Sequence, residues 1–178
     1  MKKVLVIYAT THGHSARIAG RLGEYLSQEG LSVEGHEVAR QDRLDPEPYE
    51  AVVVMASIHA SRYQKKMADW VSRNAEKLGG KPSAFASVSL SAGSGLEPII
   101  EQNREFARRF FEQTGWTADR IEVVAGCLQY PQYGVINRFL MKRLARKQGL
   151  PTDTTAEREY TDWAALKVFA ADFARELT

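Results

Sequence analysis

The sequence predicts an α/β sandwich of three layers: a five-stranded parallel sheet, strand order 2-1-3-4-5, between two layers of helices. Three observations carry this. Short apolar, β-branched runs recur along the 178 residues, as strands covered on both faces do. Helical periodicity fills the intervals, and alternating strands and helices imply parallel strands joined by right-handed crossovers. The first strand also runs straight into a hydroxyl-rich loop at a helix start, as in doubly wound sheets that bind a ligand at the topological switch point.

Val4 to Tyr8 is the first strand, and Ile18, Leu22, Tyr25 and Leu26 mark one face of the helix that Gly30 ends. Residues 31 to 38 alternate apolar and polar, which suits a strand near a sheet edge. After a polar link with Pro46 and Pro48, residues 51 to 56 form a continuous apolar third strand. Residues 57 to 63 are the loop at its carboxyl end. Met67, Trp70, Val71 and Leu78 then define a second helix, which Gly79 and Gly80 stop. Residues 83 to 90 are the fourth strand, running into a flexible loop at 91 to 95. Pro98 opens a helix that reaches Thr114, with Ile99, Phe106, Phe110 and Phe111 as its apolar set. Residues 121 to 127 are the fifth strand. The last helix starts near Thr161 and Asp162, a cap and first turn, and carries Trp163, Leu166, Phe169, Phe173 and Leu177.

The loop between the first strand and helix reads Ala9-Thr10-Thr11-His12-Gly13-His14-Ser15. The helix start offers unpaired N–H groups and the positive end of the dipole. Gly13 permits close backbone approach, and Thr10, Thr11 and Ser15 add hydroxyls, so the loop suits a phosphate. No lysine follows the glycine, which excludes a P-loop, and one glycine is too few for a dinucleotide fingerprint. The bland alternative is an ordinary strand-to-helix turn with a serine cap.

Composition bounds the rest. With 44% hydrophobic residues, the chain has the material for one globular domain spanning 1–178. A net charge of +2 argues against a nucleic-acid binder. The single cysteine, Cys127, excludes an intrachain disulfide, fits a reducing cytoplasm, and reads as a core residue rather than a redox thiol. Four histidines, with His12 and His14 in one loop, make no convincing metal site. The apolar run after the amino-terminal lysines is too short for a signal sequence, and no stretch reaches about 18 apolar residues, so no span is expected. Trp116 and Trp163 read as packing residues.

Residues 128 to 160 exceed what a connection needs, and so form an insertion within the domain. The insertion opens on Tyr130-Pro131-Gln132-Tyr133. On a helix over 135–149, Ile136, Leu140 and Leu144 make an apolar stripe. Arg138, Lys142 and Arg146 make a basic one, and Arg143 and Lys147 raise the count to five cations within ten residues. Such a helix binds a membrane surface or partner, or covers the sheet edge with a solvated basic face.

The first loop resembles that of the flavodoxin family, whose T-x-T-G-x-T pattern wraps the phosphate of flavin mononucleotide (FMN). His12 departs from it, standing where the family has a hydroxyl. The resemblance implies a flavodoxin-like fold and FMN held by Thr10, Thr11, His12, Gly13, His14 and Ser15. It also implies ring contacts from Ser57 and Ile58 after strand three, and from Ser87, Ser89, Leu90, Ser91, Ala92 and Gly93 after strand four. Near-neutral charge is atypical of acidic electron-carrier flavodoxins. Over essentially the whole chain, ASIHASRY at 56–63, the PSAF-SV pattern of 82–88, the AG-L-YP-Y pattern of 125–133 and YTDW at 160–163 look like one branch, the menaquinone-dependent protoporphyrinogen IX dehydrogenases of bacteria. That likeness implies oxidation of protoporphyrinogen IX with electrons passed to menaquinone or ubiquinone, in haem synthesis. It also implies a peripheral position on the cytoplasmic face of the cell membrane and leaves homo-oligomerisation open. The loop SAGSG at 91–95 is less basic than in relatives.

Flavin chemistry resides in the cofactor, so no general acid or base is assigned. His59, Arg62 and Tyr63 are the candidates near the ring. His59 can carry a proton near neutral pH, or is simply an exposed loop histidine. Arg62 and the basic stripe offer cations to the substrate's propionates. A flavodoxin-like electron carrier and an NAD(P)H:quinone reductase are the alternatives.

Overall fold

The computed structural model describes residues 1–129, 142–143, 146 and 157–177. Its main sheet holds β1 (Lys3–Tyr8), β2 (Ser32–Glu37), β3 (Ala51–Ser57), β4 (Ser83–Ser89) and β5 (Arg120–Ala125). The order is β2-β1-β3-β4-β5, all parallel, as the alternation of elements predicts. Four helices follow from the periodicity: α1 (His14–Gln28), α2 (Lys65–Leu78), α3 (Glu97–Thr114) and α4 (Trp163–Leu177).

Successive strand residues point to opposite faces, which divides the apolar runs between two cores. Val4, Val6, Val53, Met55, Ala84 and Ala86 pack with Ile18, Leu22, Leu166, Phe169 and Phe173 of α1 and α4. Leu5, Ile7, Val52, Val54 and Phe85 pack with Met67, Trp70, Phe110 and Phe111 of α2 and α3. Every residue of β3 and β4 is buried, which explains why these strands read as unbroken apolar or small runs. Phe85 is the centre of the second core: it stacks on Phe110 at 5.0 Å and meets the Tyr63 ring edge-on at 5.1 Å. Trp116 is buried in that core, and Trp163 packs against the first, under the Arg17 guanidinium at 5.5 Å.

Three details differ from the sequence reading. Phe106 is only half-buried, and Ala107 takes the buried position on α3. Residues 91 to 94 form a 3-10 turn rather than an irregular loop. The fifth strand ends at Ala125, because Gly126 turns the chain out of the sheet while its N–H still bonds Ser89 O at 2.9 Å. Beyond it β6 (Cys127–Gln129) pairs antiparallel with β7 (Glu157–Glu159). This two-stranded ribbon forms the root of the expected insertion. Cys127 is therefore half-buried in the ribbon rather than a core residue of β5. Of the basic stripe, Lys142 and Arg146 are helical and Arg146 is exposed, as is the flanking Arg143; Arg138, Lys147 and the apolar stripe of Ile136, Leu140 and Leu144 lie outside the described residues.

Candidate functional site

Parallel strands β1, β3 and β4 deliver their carboxyl-end loops to one sheet edge, where they enclose a cavity of about 490 Å³. That lies within the roughly 300–1,000 Å³ of small-molecule sites. Its lining takes Thr10, Thr11, His12, His14 and Ser15 from the first loop. Residues Ser57, Ile58, His59, Arg62, Tyr63 and Gln64 come from the second, and Val88, Ser89 and Leu90 from the third. Gly126 and Cys127 close one side.

The first loop sets up the start of α1. Gly13 occupies the N-cap of α1 at φ 85, with no side-chain cap bond, so the serine-capped turn does not form. Its N–H is turned inward and donates to Thr10 Oγ1 at 2.9 Å. Arg17 N–H is the first amide to reach a helical carbonyl, Gly13 O at 3.2 Å. The amides ahead of it are those that a helix start leaves without intrahelical acceptors. A Cβ built on Gly13 meets no protein atom within 4 Å, so space is open on that side.

Gln64 joins the first loop to the second. Its Nε2 donates to Ser57 Oγ at 2.6 Å and to Thr11 Oγ1 at 3.4 Å. Its Oε1 is buried and has no partner among the described residues. A buried acceptor of this kind costs about 1–3 kcal/mol unless something donates to it, and a ligand N–H in the cavity would. Nothing in the sequence singled out Gln64; its position as the N-cap of α2 was the available signal.

The second loop is a tight hairpin turn. His59 and Arg62 exchange backbone hydrogen bonds of 2.8 and 3.0 Å. The two residues between them, Ala60 at φ 48 and Ser61 at φ 63, are left-handed without being glycine. The turn is held from both flanks. His59 Nε2 contacts Ser57 Oγ at 3.1 Å, and the Tyr63 hydroxyl contacts Ser87 Oγ at 2.8 Å. The His12 and His59 rings meet edge-on at 6.1 Å. Partial burial, then the neighbouring His12, lowers the His59 pKa, so its imidazole is neutral at pH 7. Burial raises the Tyr63 pKa, which keeps that phenol protonated.

A clasp closes the side of the site nearest the ribbon. Thr161 donates to Ala125 O at 2.7 Å and lies 2.9 Å from His14 Nε2. With its one proton committed, Thr161 accepts from His14, which therefore carries a proton on Nε2. Glu159 pairs with Arg17 at 3.3 Å and stands 3.9 Å from His14 Nε2. Tyr160 N–H donates to Gly126 O at 3.1 Å. A Cβ on Gly93 would sit 2.8 Å from Tyr160 Cβ, so only glycine fits there.

Five of the six first-loop residues expected at the site line the cavity, and so do Ser57, Ile58, His59, Arg62, Tyr63, Ser89 and Leu90. Gly13 is not among the lining residues and sets the loop's turn through its left-handed backbone. Ser87 is fully buried and commits its hydroxyl to Tyr63, so it supports the second loop instead of facing a ligand. Ser91, Ala92 and Gly93 stand behind the lining, where Ser89 Oγ accepts from Ala92 N–H at 3.2 Å and Ser91 Oγ from Asn103 at 3.3 Å. Thr161, Glu159 and Tyr160 were not expected at the site, because contacts between positions far apart in the chain carry no local signature. Among the described residues no group of His, Cys, Asp and Glu can hold a metal ion.

Residues 5–155 match the family model described as a flavodoxin domain. The chain is 35% identical over 175 residues to the protoporphyrinogen IX dehydrogenase [quinone] of Escherichia coli (strain K12), covering 98% of this chain and 94% of that protein. A protein of the same name from Leishmania major is 32% identical over 173 residues, covering 97% of this chain and 74% of that one. Among solved structures, oxidised flavodoxin 1 from Bacillus cereus superposes with a TM-score of 0.60 at 14% identity, covering 99% of each chain. A Streptococcus pneumonia TIGR4 flavodoxin gives 0.56 at 17%, covering 98% of this chain and 99% of the other. At such identities the superpositions establish the fold.

Proposed function

The chain belongs to the flavodoxin-domain family, and from that premise we propose that it is an FMN-dependent dehydrogenase of protoporphyrinogen IX that passes electrons to a quinone. One observation carries the reading: 35% identity to a protein of that printed activity, sustained over 98% of this chain.

The residues present suit FMN. A single helix start offers amides and hydroxyls for one phosphate, from Thr10, Thr11, Ser15 and the backbone around Gly13. Gln64 Oε1 offers a buried acceptor beside Ser57, in a cavity of suitable volume. When bound, FMN supplies the two-electron redox chemistry. The protein holds and orients it with the loops after β1, β3 and β4, and restricts water from the inner wall with Ile58, Val88 and Leu90. His59, neutral at pH 7, stands at the cavity as an acceptor for a proton leaving the substrate. Tyr63 stays protonated, and its part is to fix the second loop.

Among the described residues no helix is long and apolar enough to cross a membrane. On this reading a lipid-soluble quinone is met at a membrane surface. The basic segment containing Arg138, Lys142 and Arg146 supplies the charge for peripheral contact with an anionic leaflet, on the cytoplasmic face that the reading requires. The same reading makes 1–178 a single domain with 128–160 as its insertion, and a homo-oligomer is compatible with it.

The test is steady-state assay of purified protein with protoporphyrinogen IX, with menadione and with NADH. The reading expects a quinone-dependent gain of porphyrin fluorescence above autoxidation. FMN-loaded protein without that gain refutes it. Rapid NADH-driven quinone reduction identifies a quinone reductase, and no turnover of either donor an electron carrier.

A further inference from the structure

Among the described residues, the cavity lining contains no Asp, Glu or Lys and a single permanent charge, Arg62. Most arginines of the described residues are committed elsewhere: Arg17, Arg21, Arg40, Arg104, Arg108, Arg109, Arg120 and Arg175 all form ion pairs. Arg62 forms none among the described residues and is exposed at the cavity's rim. Its backbone is nonetheless fixed. It closes the turn whose two central residues are left-handed without glycine, and its neighbour Tyr63 is anchored on Ser87 and wedged against Phe85 and Phe110. Unfavourable backbone conformations persist where surrounding structure over-determines them, and they concentrate at ligand clamps. Among the described residues, Arg62 is thus the one permanently charged side chain of the cavity lining, and its backbone is held by the turn.

The cofactor's anion has its own receptor at the start of α1, built from amides and hydroxyls. That leaves the Arg62 guanidinium for a second anion. A porphyrinogen brings two propionate carboxylates on an apolar macrocycle. Planar guanidinium recognises carboxylate bidentately, and Ile58 and Leu90 of the same cavity lining offer apolar surface to the ring. We propose that Arg62 is the specificity-determining residue that anchors a propionate carboxylate of the substrate. This rests on the porphyrinogen reading given above.

Three measurements on FMN-loaded protein test it, in the parent, Arg62→Lys and Arg62→Glu. The first is KM for protoporphyrinogen IX against KM for its dimethyl ester. The second is affinity for protoporphyrin IX against its dimethyl ester, read from porphyrin absorbance. The third is the Kd of FMN. The parent prefers the diacid in both comparisons, and Arg62→Glu cuts that preference about tenfold or more, with Arg62→Lys between them. FMN affinity is unmoved. A diacid-to-diester ratio that Arg62→Glu leaves intact overturns the proposal, and so does a loss of FMN affinity, which would assign Arg62 to the cofactor phosphate. If the parent turns over no porphyrinogen yet binds the diacid porphyrin through Arg62, the enzymatic reading falls and the anchor stands. If the parent turns over porphyrinogen and the ratio stays unchanged in Arg62→Glu, the enzymatic reading stands and the anchor falls.

Discussion

His14 Nε2 lies 2.9 Å from the Thr161 hydroxyl, which joins the first residue of α1 to the residue preceding the cap of α4. Thr161 hands its own proton to Ala125 O at 2.7 Å, so one side chain ties the phosphate loop, the end of β5 and the return from the ribbon. Thr161→Val keeps the shape and removes both bonds. It leaves the Ala125 carbonyl short of that donor and costs about 1–3 kcal/mol. Urea unfolding should show that loss. FMN affinity should fall with it, because the α1 start loses a brace. Thr161→Ser should restore both.

The sheet was legible because its two buried faces produce unbroken apolar runs at 51–56 and 83–90, and because only parallel order accommodates helices between them. The site was legible at Gly13, whose backbone conformation has a local signature. Gln64 and the clasp were not. Gln64 acts through a buried amide whose value depends on Thr11 and Ser57 folding toward it. Thr161 read correctly as belonging to the start of α4, but the capping is done by Asp162, whose Oδ1 accepts from Ala165 N–H at 2.9 Å. Ser87 shows a related limit: its sequence neighbourhood matches a cofactor loop, while its buried hydroxyl meets that of Tyr63.

Gly13 tests the anion site. A β-branched residue there gains no clash with the protein, since nothing lies within 4 Å of a built Cβ. Left-handed backbone costs it about 1–2 kcal/mol, and the side chain occupies the open space in which a phosphate approaches. Gly13→Val should therefore abolish FMN binding while the protein remains folded, as equilibrium dialysis and circular dichroism would report. Retained FMN would move the phosphate elsewhere.

Ala60 holds an unfavourable φ of 48. Ala60→Gly relieves that strain, worth roughly 1–2 kcal/mol, but adds back about 0.5–1 kcal/mol of backbone entropy. A small net gain in melting temperature is expected, together with a higher KM for the porphyrinogen, since the turn no longer fixes Arg62. A stabilised variant with unchanged KM would show that the rigid turn serves the fold alone.

His59 makes stability depend on pH. Partial burial and then His12 lower its folded pKa, so the unfolded chain takes up a proton at this position before the folded chain does. Stability therefore declines as pH falls through the ordinary histidine range near 6.5. His59→Gln removes the group and should flatten that part of the curve, measured by urea midpoints at about pH 7.5 and about pH 5.5. If His59 also accepts the substrate's proton, the acidic limb of kcat disappears in the same variant.

The last prediction concerns the basic segment. Lys142, Arg143 and Arg146 are helical, and the latter two are exposed, which agrees with a charged helix face. The segment departs from β6 and returns through β7, and Cys127 at the foot of that ribbon lines the cavity. A surface bound through these cations would stand beside the flavin end of the sheet, where a lipid-soluble acceptor has to arrive. Each cation near an anionic leaflet contributes about 1 kcal/mol, lost with added salt. Replacing Arg138, Lys142 and Arg146 with Glu should release the protein from phosphatidylserine vesicles in sedimentation while its FMN content is unchanged. Turnover of a water-soluble quinone should persist as turnover of a vesicle-borne one falls. A variant that sediments like the parent would make the segment a cover for the sheet edge and bring the quinone in by another route.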